Sequence, residues 1–131
     1  AVRLAQAEAR RSGRTTTGLA DPARAAALLL EPSSEGAGAG AVLLSLGAAG
    51  AMLVTRGAPP IDIAAPQVKA VDATGAGDAL NGAGAAALAG GQSLEEAARR
   101  AVVAASISVT RAGAREGMPT LTELEAALAG S

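Results

Sequence analysis

Three kinds of residue are missing from this sequence of 131 amino acids: cysteine, histidine and every aromatic residue. The lack of cysteine excludes a disulfide framework and a thiol nucleophile. The lack of histidine as well excludes an imidazole base and a metal site built from Cys and His ligands. Any acid–base chemistry therefore depends on Asp, Glu or the single lysine, Lys69.

Charged residues are also scarce, and their signs nearly cancel. They make up 18% of the chain, and the formal net charge is −1. Nucleic-acid binding proteins usually combine a basic surface with stacking aromatic residues, so this composition argues against that class. No apolar run reaches the length of a membrane span and no charged-then-apolar leader opens the chain, so we expect a cytoplasmic protein of one domain.

The apolar residues that are present are mostly small. Half of the chain is hydrophobic by type, but much of this fraction is alanine. Since burial stabilises a fold by about 25 cal/mol per Å² of apolar surface, an alanine-rich core without aromatic residues gains little from each side chain. We therefore expect marginal stability.

Strand and helix patterns are mixed along the chain, which predicts the α/β class. Short apolar runs predict strands over residues 41–46, 51–55 and 61–64. Helices are predicted over residues 4–12, 22–30 and 76–88. Two further helices follow the capping boxes "SLEE" and "TLTE", one running from Ser93 to about Thr110 and the other from Thr120 to near Gly130.

The stretch "VDATGAGDALNGAG", residues 71–84, places glycines and an acid where a helix is about to begin. A helix N-terminus has unpaired N–H groups and partial positive charge, and glycine lets a ligand approach the backbone closely. The N–H groups of Gly75, Ala76, Gly77 and Asp78 are therefore candidates for an anion cradle. Beside a bound phosphate, the Asp78 carboxylate could accept a proton from an attacking alcohol, as phosphoryl transfer to a hydroxyl requires.

This motif differs from two common phosphate-binding motifs. No Lys-Ser/Thr follows the glycines as in a Walker A loop, and the glycine spacing is not that of GxGxxG. A purely structural interpretation fits the motif alone equally well. Small residues would pack a helix start closely, and Asp78 would be a first-turn acid favoured by the helix dipole.

Three motifs, in order, resemble the C-terminal part of the ribokinase (PfkB) family of carbohydrate kinases. "VDATGAGDALNGA" is similar to the family's signature around its catalytic aspartate, and "LLSLGAAGAML" to a strand–turn–strand at its nucleotide site. "SLEEAARRAVVAASISVTRAGAREGMPT" is similar to its long helix and the loop that follows. The resemblance covers residues 41–131 well and 4–30 weakly. It implies a ribokinase-like layered sheet flanked by helices, with only the nucleotide-binding part present.

The resemblance also implies roles for individual residues. Asp78 would be the general base, and Gly75, Ala76 and Gly77 would form the anion hole. The residues near ATP would be Ser45, Gly47, Gly50, Gly77, Asn81 and Val102. A K⁺ site, partly of backbone carbonyls, would be formed by Asp72, Thr74, Ser108, Arg111, Gly113 and Gly117. A turn-forming or capping acid is the alternative role for Asp72.

The sequence departs from the family pattern at two places. The family's Asn-x-x-Glu, associated with Mg²⁺ and phosphate, corresponds to "AQAE", in which Ala5 replaces the asparagine and Glu8 keeps the glutamate. Glu8 is therefore a candidate for the Mg²⁺ network, and a helix-surface glutamate is its alternative interpretation. Val102 stands where a polar residue often faces the adenine.

The chain is well under half as long as a complete family member. The N-terminal part, which supplies the sugar-binding residues and a small lid, has no counterpart here. We therefore expect residues 1–131 to be the C-terminal part of a PfkB-type kinase domain. The incomplete sheet would have an open edge that can pair with another chain, so a homodimer is one expected assembly.

The resemblance implies ATP-dependent phosphorylation of a sugar hydroxyl with Mg²⁺ and K⁺. "SVTRAGAREGMPT" is most similar to members that convert D-ribose to D-ribose 5-phosphate, whereas "SLGAAGAMLVT" is similar to members acting on fructose 1-phosphate. Two alternatives stay open: a truncated, inactive module that binds nucleotide or a partner chain, and a small alanine-rich α/β domain without a site.

Overall fold

The structure, a computed structural model, describes residues 2–5, 22–32 and 37–130 of the chain. These residues form two compact units. The first contains the described residues up to Gly47 together with Ala51–Asp62. The second contains Ala48–Gly50 and the described residues from Ile63 onward.

A four-stranded mixed sheet forms the framework of the first unit. Its strands lie in chain order: β1 (Val2–Ala5), β2 (Ala41–Ser45), β3 (Ala51–Thr55) and β4 (Ile61–Ile63). β1 pairs with β2 in parallel, and β2 pairs with β3 antiparallel. The first four residues of β2 are all buried, as the continuous apolar run predicted for a strand covered on both faces.

One predicted element is wrong where the structure describes it. Residues 4 and 5, assigned to a helix from the sequence, lie in β1, while residues 6–12 of that prediction lie outside the described residues. Leu4 and Ala5 favour helix by intrinsic propensity, but pairing with Leu43 and Leu44 of β2 outweighs a preference of well under 1 kcal/mol per residue.

One helix, α1 (Pro22–Leu30), packs against β2 and β3. Ala26 and Leu30, one turn apart, form its buried contacts with Val42 and Val54. Pro22 begins the helix as the sequence predicted, because proline at this position gives up no helical hydrogen bond. The first unit therefore has a small core of aliphatic side chains between one helix and the sheet.

Three helices build the second unit: α2 (Ala76–Ala89), α3 (Leu94–Ser108) and α4 (Leu121–Ala129). α2 packs extensively on α3, and small residues are among the buried residues of both helices, including Gly84 of α2 and Ala101 of α3. Leu124 of α4 packs against Val103 and Ala104. None of the helices among the described residues has both the length and the apolar character needed to cross a bilayer.

Both predicted capping signals act as helix starts. Ser93 Oγ accepts a hydrogen bond from the Glu96 N–H at 3.2 Å, and the Glu96 carboxylate lies 3.9 Å from the Arg100 guanidinium. At α4 the capping box is complete, because Thr120 and Glu123 each accept from the other's backbone N–H.

Candidate active site

The loop that leads into α2 is held against the end of α3. The N–H groups of Val71 and Asp72 both donate to the carbonyl oxygen of Val109, at 2.7 and 3.1 Å. Two adjacent donors on one acceptor fix the position of the peptide chain just before the glycine-rich turn. The position of the turn is therefore set by the end of α3.

Asp72 connects this loop to a second one. Its Oδ1 accepts from the Thr74 N–H and its Oδ2 from the Gly113 N–H, each at 2.9 Å. Hydrogen bonds from the Thr74 side chain and the Gly113 and Thr74 N–H groups lower the pKa of Asp72 to about 2. The half-buried carboxylate is thus ionised at neutral pH and bridges the segments 71–75 and 109–117.

Gly75 sits at the N-cap of α2 in a conformation that favours glycine. Its φ is +82°, and a Cβ added there would lie 2.9 Å from the Cα of Ala114. A larger residue would be strained in its backbone and would collide with the 109–117 loop. The turn and that loop are therefore packed backbone against backbone.

The first turn of α2 presents free backbone donors. The first N–H to make a helical bond is that of Ala79, which donates to Gly75 at 2.9 Å. The Ala76 N–H donates back to Ala73 at 3.2 Å, so it is already engaged in the turn. The N–H groups of Gly77 and Asp78 precede the first helical bond and have no hydrogen-bond acceptor among the described residues. The Gly75 N–H likewise has no acceptor among these residues, so three of the four amides predicted for an anion cradle are free to donate.

Asp78 lies in the same first turn, and its side chain is exposed. Within the described part of the chain its carboxylate takes part in no hydrogen bond or ion pair. A carboxylate next to free amides at a helix N-terminus can both be stabilised there and accept a proton from a bound alcohol.

Three carbonyl oxygens converge beside Gly117. A Cβ on this buried glycine would lie 2.6 Å from the oxygen of Gly113, 2.9 Å from that of Ser108 and 3.6 Å from that of Arg111. Oxygen donors of this kind suit hard cations, and the Asp72 carboxylate reaches the same loop through Gly113. The structure thus brings together the residues that the family resemblance assigned to a K⁺ site.

No cluster of three or more Asp, Glu, His or Cys side chains able to hold a metal occurs within residues 2–5, 22–32 and 37–130. Glu8, the predicted Mg²⁺ residue, lies outside them. The candidate cation site beside Gly117 consists mainly of backbone carbonyls, which such a cluster of side chains does not include.

The residues predicted to lie near ATP are distributed over both units. Ser45 ends β2, and Gly47, with φ +62°, begins a short 3₁₀ turn; both belong to the first unit. Gly50 belongs to the second unit, and a Cβ there would lie 2.0 Å from the Ile63 oxygen.

Two further ATP candidates lie on the helices of the second unit. Asn81 is on α2, and its Oδ1 is buried without a hydrogen-bond donor among the described residues. Val102 is 3% exposed on α3, which is the burial of a core residue.

Sequence reasoning missed several residues that shape the site. Val109 and Ala114 act through a carbonyl and through their small volume, so no side-chain signal marked them. Glu123 was recognised as a capping residue, but its contact with Arg111 was not predicted.

Comparison with known proteins places the chain among the carbohydrate kinases. The model of the pfkB family carbohydrate kinases matches residues 5–121, and the chain belongs to this family. The predicted family and the predicted ribokinase-like α/β fold, present in part, are thereby confirmed.

Individual relatives share substantial sequence and structure with the chain. It is 55% identical to Bacillus subtilis ribokinase over 58 residues, which is 44% of this chain and 20% of that enzyme. Thermotoga maritima ribokinase superposes with a TM-score of 0.74 at 41% identity, covering 82% of this chain and 34% of that one.

Two further solved structures contain ligands. Arabidopsis thaliana ribokinase complexed with ribose and ATP has a TM-score of 0.66 at 39% identity and covers 70% of this chain and 30% of that one. An E. coli protein called ribokinase II, in complex with ATP and Mg²⁺, has a TM-score of 0.74 at 31% identity, with 85% and 34% covered. The chain thus spans about a fifth to a third of the length of these relatives.

Proposed function

We propose that this chain is the C-terminal, nucleotide-binding part of an ATP-dependent sugar kinase that phosphorylates D-ribose at its 5-hydroxyl. The observation that carries the proposal is the first turn of α2. There, free N–H groups of Gly77 and Asp78 and the unpaired Asp78 carboxylate lie together, in a turn that Asp72 connects to a carbonyl-lined loop. The solved relative with bound ribose and ATP supports this choice of substrates.

In the proposed reaction Asp78 accepts the proton of the attacking sugar hydroxyl. The hydroxyl oxygen forms a bond to the γ-phosphorus of ATP, and the bond from that phosphorus to the β–γ bridging oxygen breaks, releasing ADP. The Gly77 and Asp78 N–H groups would stabilise the charge that develops on the transferred group. The 2.9 Å contacts of Asp72 would keep these donors in place.

K⁺, Mg²⁺ and ATP are the cofactors of this proposal. The donors around K⁺ would be the Asp72 carboxylate and the carbonyl oxygens of Ser108, Arg111 and Gly113, a hard-oxygen set that fits the ion. K⁺ would supply positive charge that orders the 109–117 loop against the turn. Mg²⁺ would enter with the ATP phosphates. A cytoplasmic location and a homodimer remain predictions that belong to the same proposal.

ADP release by the 131-residue chain, with ATP, Mg²⁺ and K⁺ and with or without D-ribose, tests the proposal. We expect ribose-dependent release that falls at least about a hundredfold in Asp78→Asn, the usual range for loss of a general base. Asp62→Asn, which removes an exposed aspartate from β4, is the matched control and should leave release unchanged. Equal release from Asp78→Asn and the unmodified chain would contradict the role of Asp78.

A second candidate function is nucleotide binding without turnover. Ala5 in place of the expected asparagine favours it. Binding of ATP can be measured by calorimetry, and ADP release can be measured with D-ribose or fructose 1-phosphate as acceptor. Binding without ADP release on either acceptor would favour this candidate. Release with fructose 1-phosphate alone would replace ribose as the substrate.

A further inference from the structure

One carboxylate at the start of α4 accepts hydrogen bonds from two different segments. Glu123 accepts from the Thr120 N–H at 2.7 Å and from the Thr120 hydroxyl at 3.1 Å, which completes the capping box. It also accepts from the Arg111 guanidinium, at 2.6 Å from Nη2 and 3.5 Å from Nη1. The capping box needs only Thr120, so the contact with Arg111 is additional to helix formation.

Arg111 lies in the loop that carries the candidate cation site. Its carbonyl oxygen is one of the three that converge beside Gly117, while its guanidinium reaches Glu123 on α4. A residue held at its side-chain end by a paired carboxylate has less freedom to swing its own carbonyl. The Arg111–Glu123 pair therefore restrains the geometry of the oxygen donors.

The exposure of the Arg111–Glu123 pair indicates that it contributes little to the stability of the whole chain. The side chains of Arg111 and Glu123 are 38% and 40% exposed, and ion pairs this accessible contribute little to global stability. A second pair, Arg100 with Glu125, joins α3 to the same helix, and neither side chain has a hydrogen bond or ion pair with the loop among the described residues. The two pairs thus provide a natural comparison between a loop-linked and a loop-independent ion pair.

We propose that Glu123 is a positioning residue for the cation site: by pairing with the Arg111 side chain it holds the Arg111 carbonyl beside those of Ser108 and Gly113, in the arrangement that binds a monovalent cation. This inference rests on the K⁺ site of the proposed function. Glu123 itself contributes no donor atom to the ion.

Titration of the ¹⁵N-labelled chain with KCl, followed by the amide shifts of Gly113 and Gly117, measures cation binding without requiring turnover. Tetramethylammonium chloride keeps the ionic strength constant. Glu123→Gln retains a side chain that serves in a capping box but removes the charge. Arg111→Gln removes the same pair and leaves the Thr120–Glu123 cap intact, and Glu125→Gln is the matched control.

We expect the K⁺ concentration at half-saturation to rise about tenfold in Glu123→Gln and in Arg111→Gln, as for loss of other outer partners of metal ligands. The double variant should be no weaker than either single variant, and Glu125→Gln should bind like the unmodified chain. In the active enzyme Glu123→Gln should raise the K⁺ requirement for ADP release while kcat at saturating K⁺ is unchanged.

Three results would overturn the inference. Unchanged K⁺ binding in Glu123→Gln would remove the positioning role while leaving the cation site and the kinase proposal intact. Weaker binding in Glu123→Gln but not in Arg111→Gln would assign the effect to the helix cap. Absence of any K⁺-specific shift in the unmodified chain would overturn the cation site and this inference together. Lack of ADP release alone would count only against the kinase proposal.

Discussion

The two units of the molecule depend on different parts of the polypeptide: the core of the first depends on side chains, and the candidate site of the second on backbone atoms. The first unit is held together by side chains, with Leu30, Val42 and Val54 filling the space between α1 and the sheet. The candidate site of the second unit is built mainly from backbone atoms: the amides of Gly77 and Asp78 and the carbonyls that surround Gly117. Side-chain volume should therefore decide the stability of the first unit, and backbone geometry should decide whether the candidate site of the second unit forms.

This difference follows from composition. A chain without aromatic residues and with 17 glycines has few large side chains to place around a ligand, but its backbone is accessible in many places. Among the residues that the structure describes, the carboxylates of Asp72 and Asp78 bring side-chain chemistry to the candidate site. A substitution should matter there when it moves the backbone or removes one of these two groups.

The largest effect is expected from a volume change in the first unit. Leu43 is 2% exposed in the middle of β2, and its replacement by Ala should reduce the free energy of unfolding by about 2–5 kcal/mol. Leu28→Ala on α1, where the side chain is 62% exposed, should change it by less than about 0.5 kcal/mol. Urea unfolding followed by circular dichroism measures both. Similar losses in the two variants would show that side-chain packing does not govern this unit.

A backbone test in the second unit compares two glycines. Ala at Gly117 would place a Cβ 2.6 Å from the Gly113 oxygen and should cost about 1–3 kcal/mol by overpacking. Ala at Gly82, in α2 with nothing within 4 Å, should instead stabilise the helix by about 0.5–1 kcal/mol. Urea unfolding gives the sign for each variant, and K⁺ titration should show loss of binding only for Gly117→Ala. Tolerance of Ala at Gly117 would contradict the converging carbonyls.

The smallest expected effect is the acid dependence that Asp72 confers. Its pKa of about 2 in the folded chain lies below the ordinary 3.8, so its stabilising contribution is present above about pH 4 and is lost as the pH falls toward 2. The unmodified chain should therefore lose stability more steeply over this range than Asp72→Asn. Asp62→Asn on β4 should keep the steep dependence. Parallel pH profiles for the unmodified chain and Asp72→Asn, from thermal unfolding, would contradict the hydrogen bonds to Thr74 and Gly113.

Much of the fold could be predicted because local signals and tertiary contacts agree. Pro22, Ser93 and Thr120 start helices where the sequence predicted them, and β3 covers the predicted residues 51–55. The exception is Leu4–Ala5, where pairing with a distant strand decides the conformation and no local signal reveals it.

The candidate site could be predicted only as a set of positions. Asp72, Asp78 and the glycines were found from the motif and the family resemblance, but the convergence of three carbonyls depends on how a loop closes on itself. The Arg111–Glu123 contact joins a loop to a helix by side chains whose pairing no periodicity indicates. Backbone orientation and long-range ion pairs of this kind can be identified only from the three-dimensional structure.

The two hydrogen bonds of Asp72 have a thermodynamic consequence. A single carboxylate joins the turn that carries the proposed phosphate-binding amides to the loop that carries the proposed cation site, so occupancy of one site would bias the geometry of the other. Such linkage would be reciprocal: any factor by which K⁺ increased the affinity for nucleotide would equal the factor by which nucleotide increased the affinity for K⁺. A cell that holds its K⁺ concentration steady would thereby keep the site ready for nucleotide, and nucleotide in turn would retain the ion.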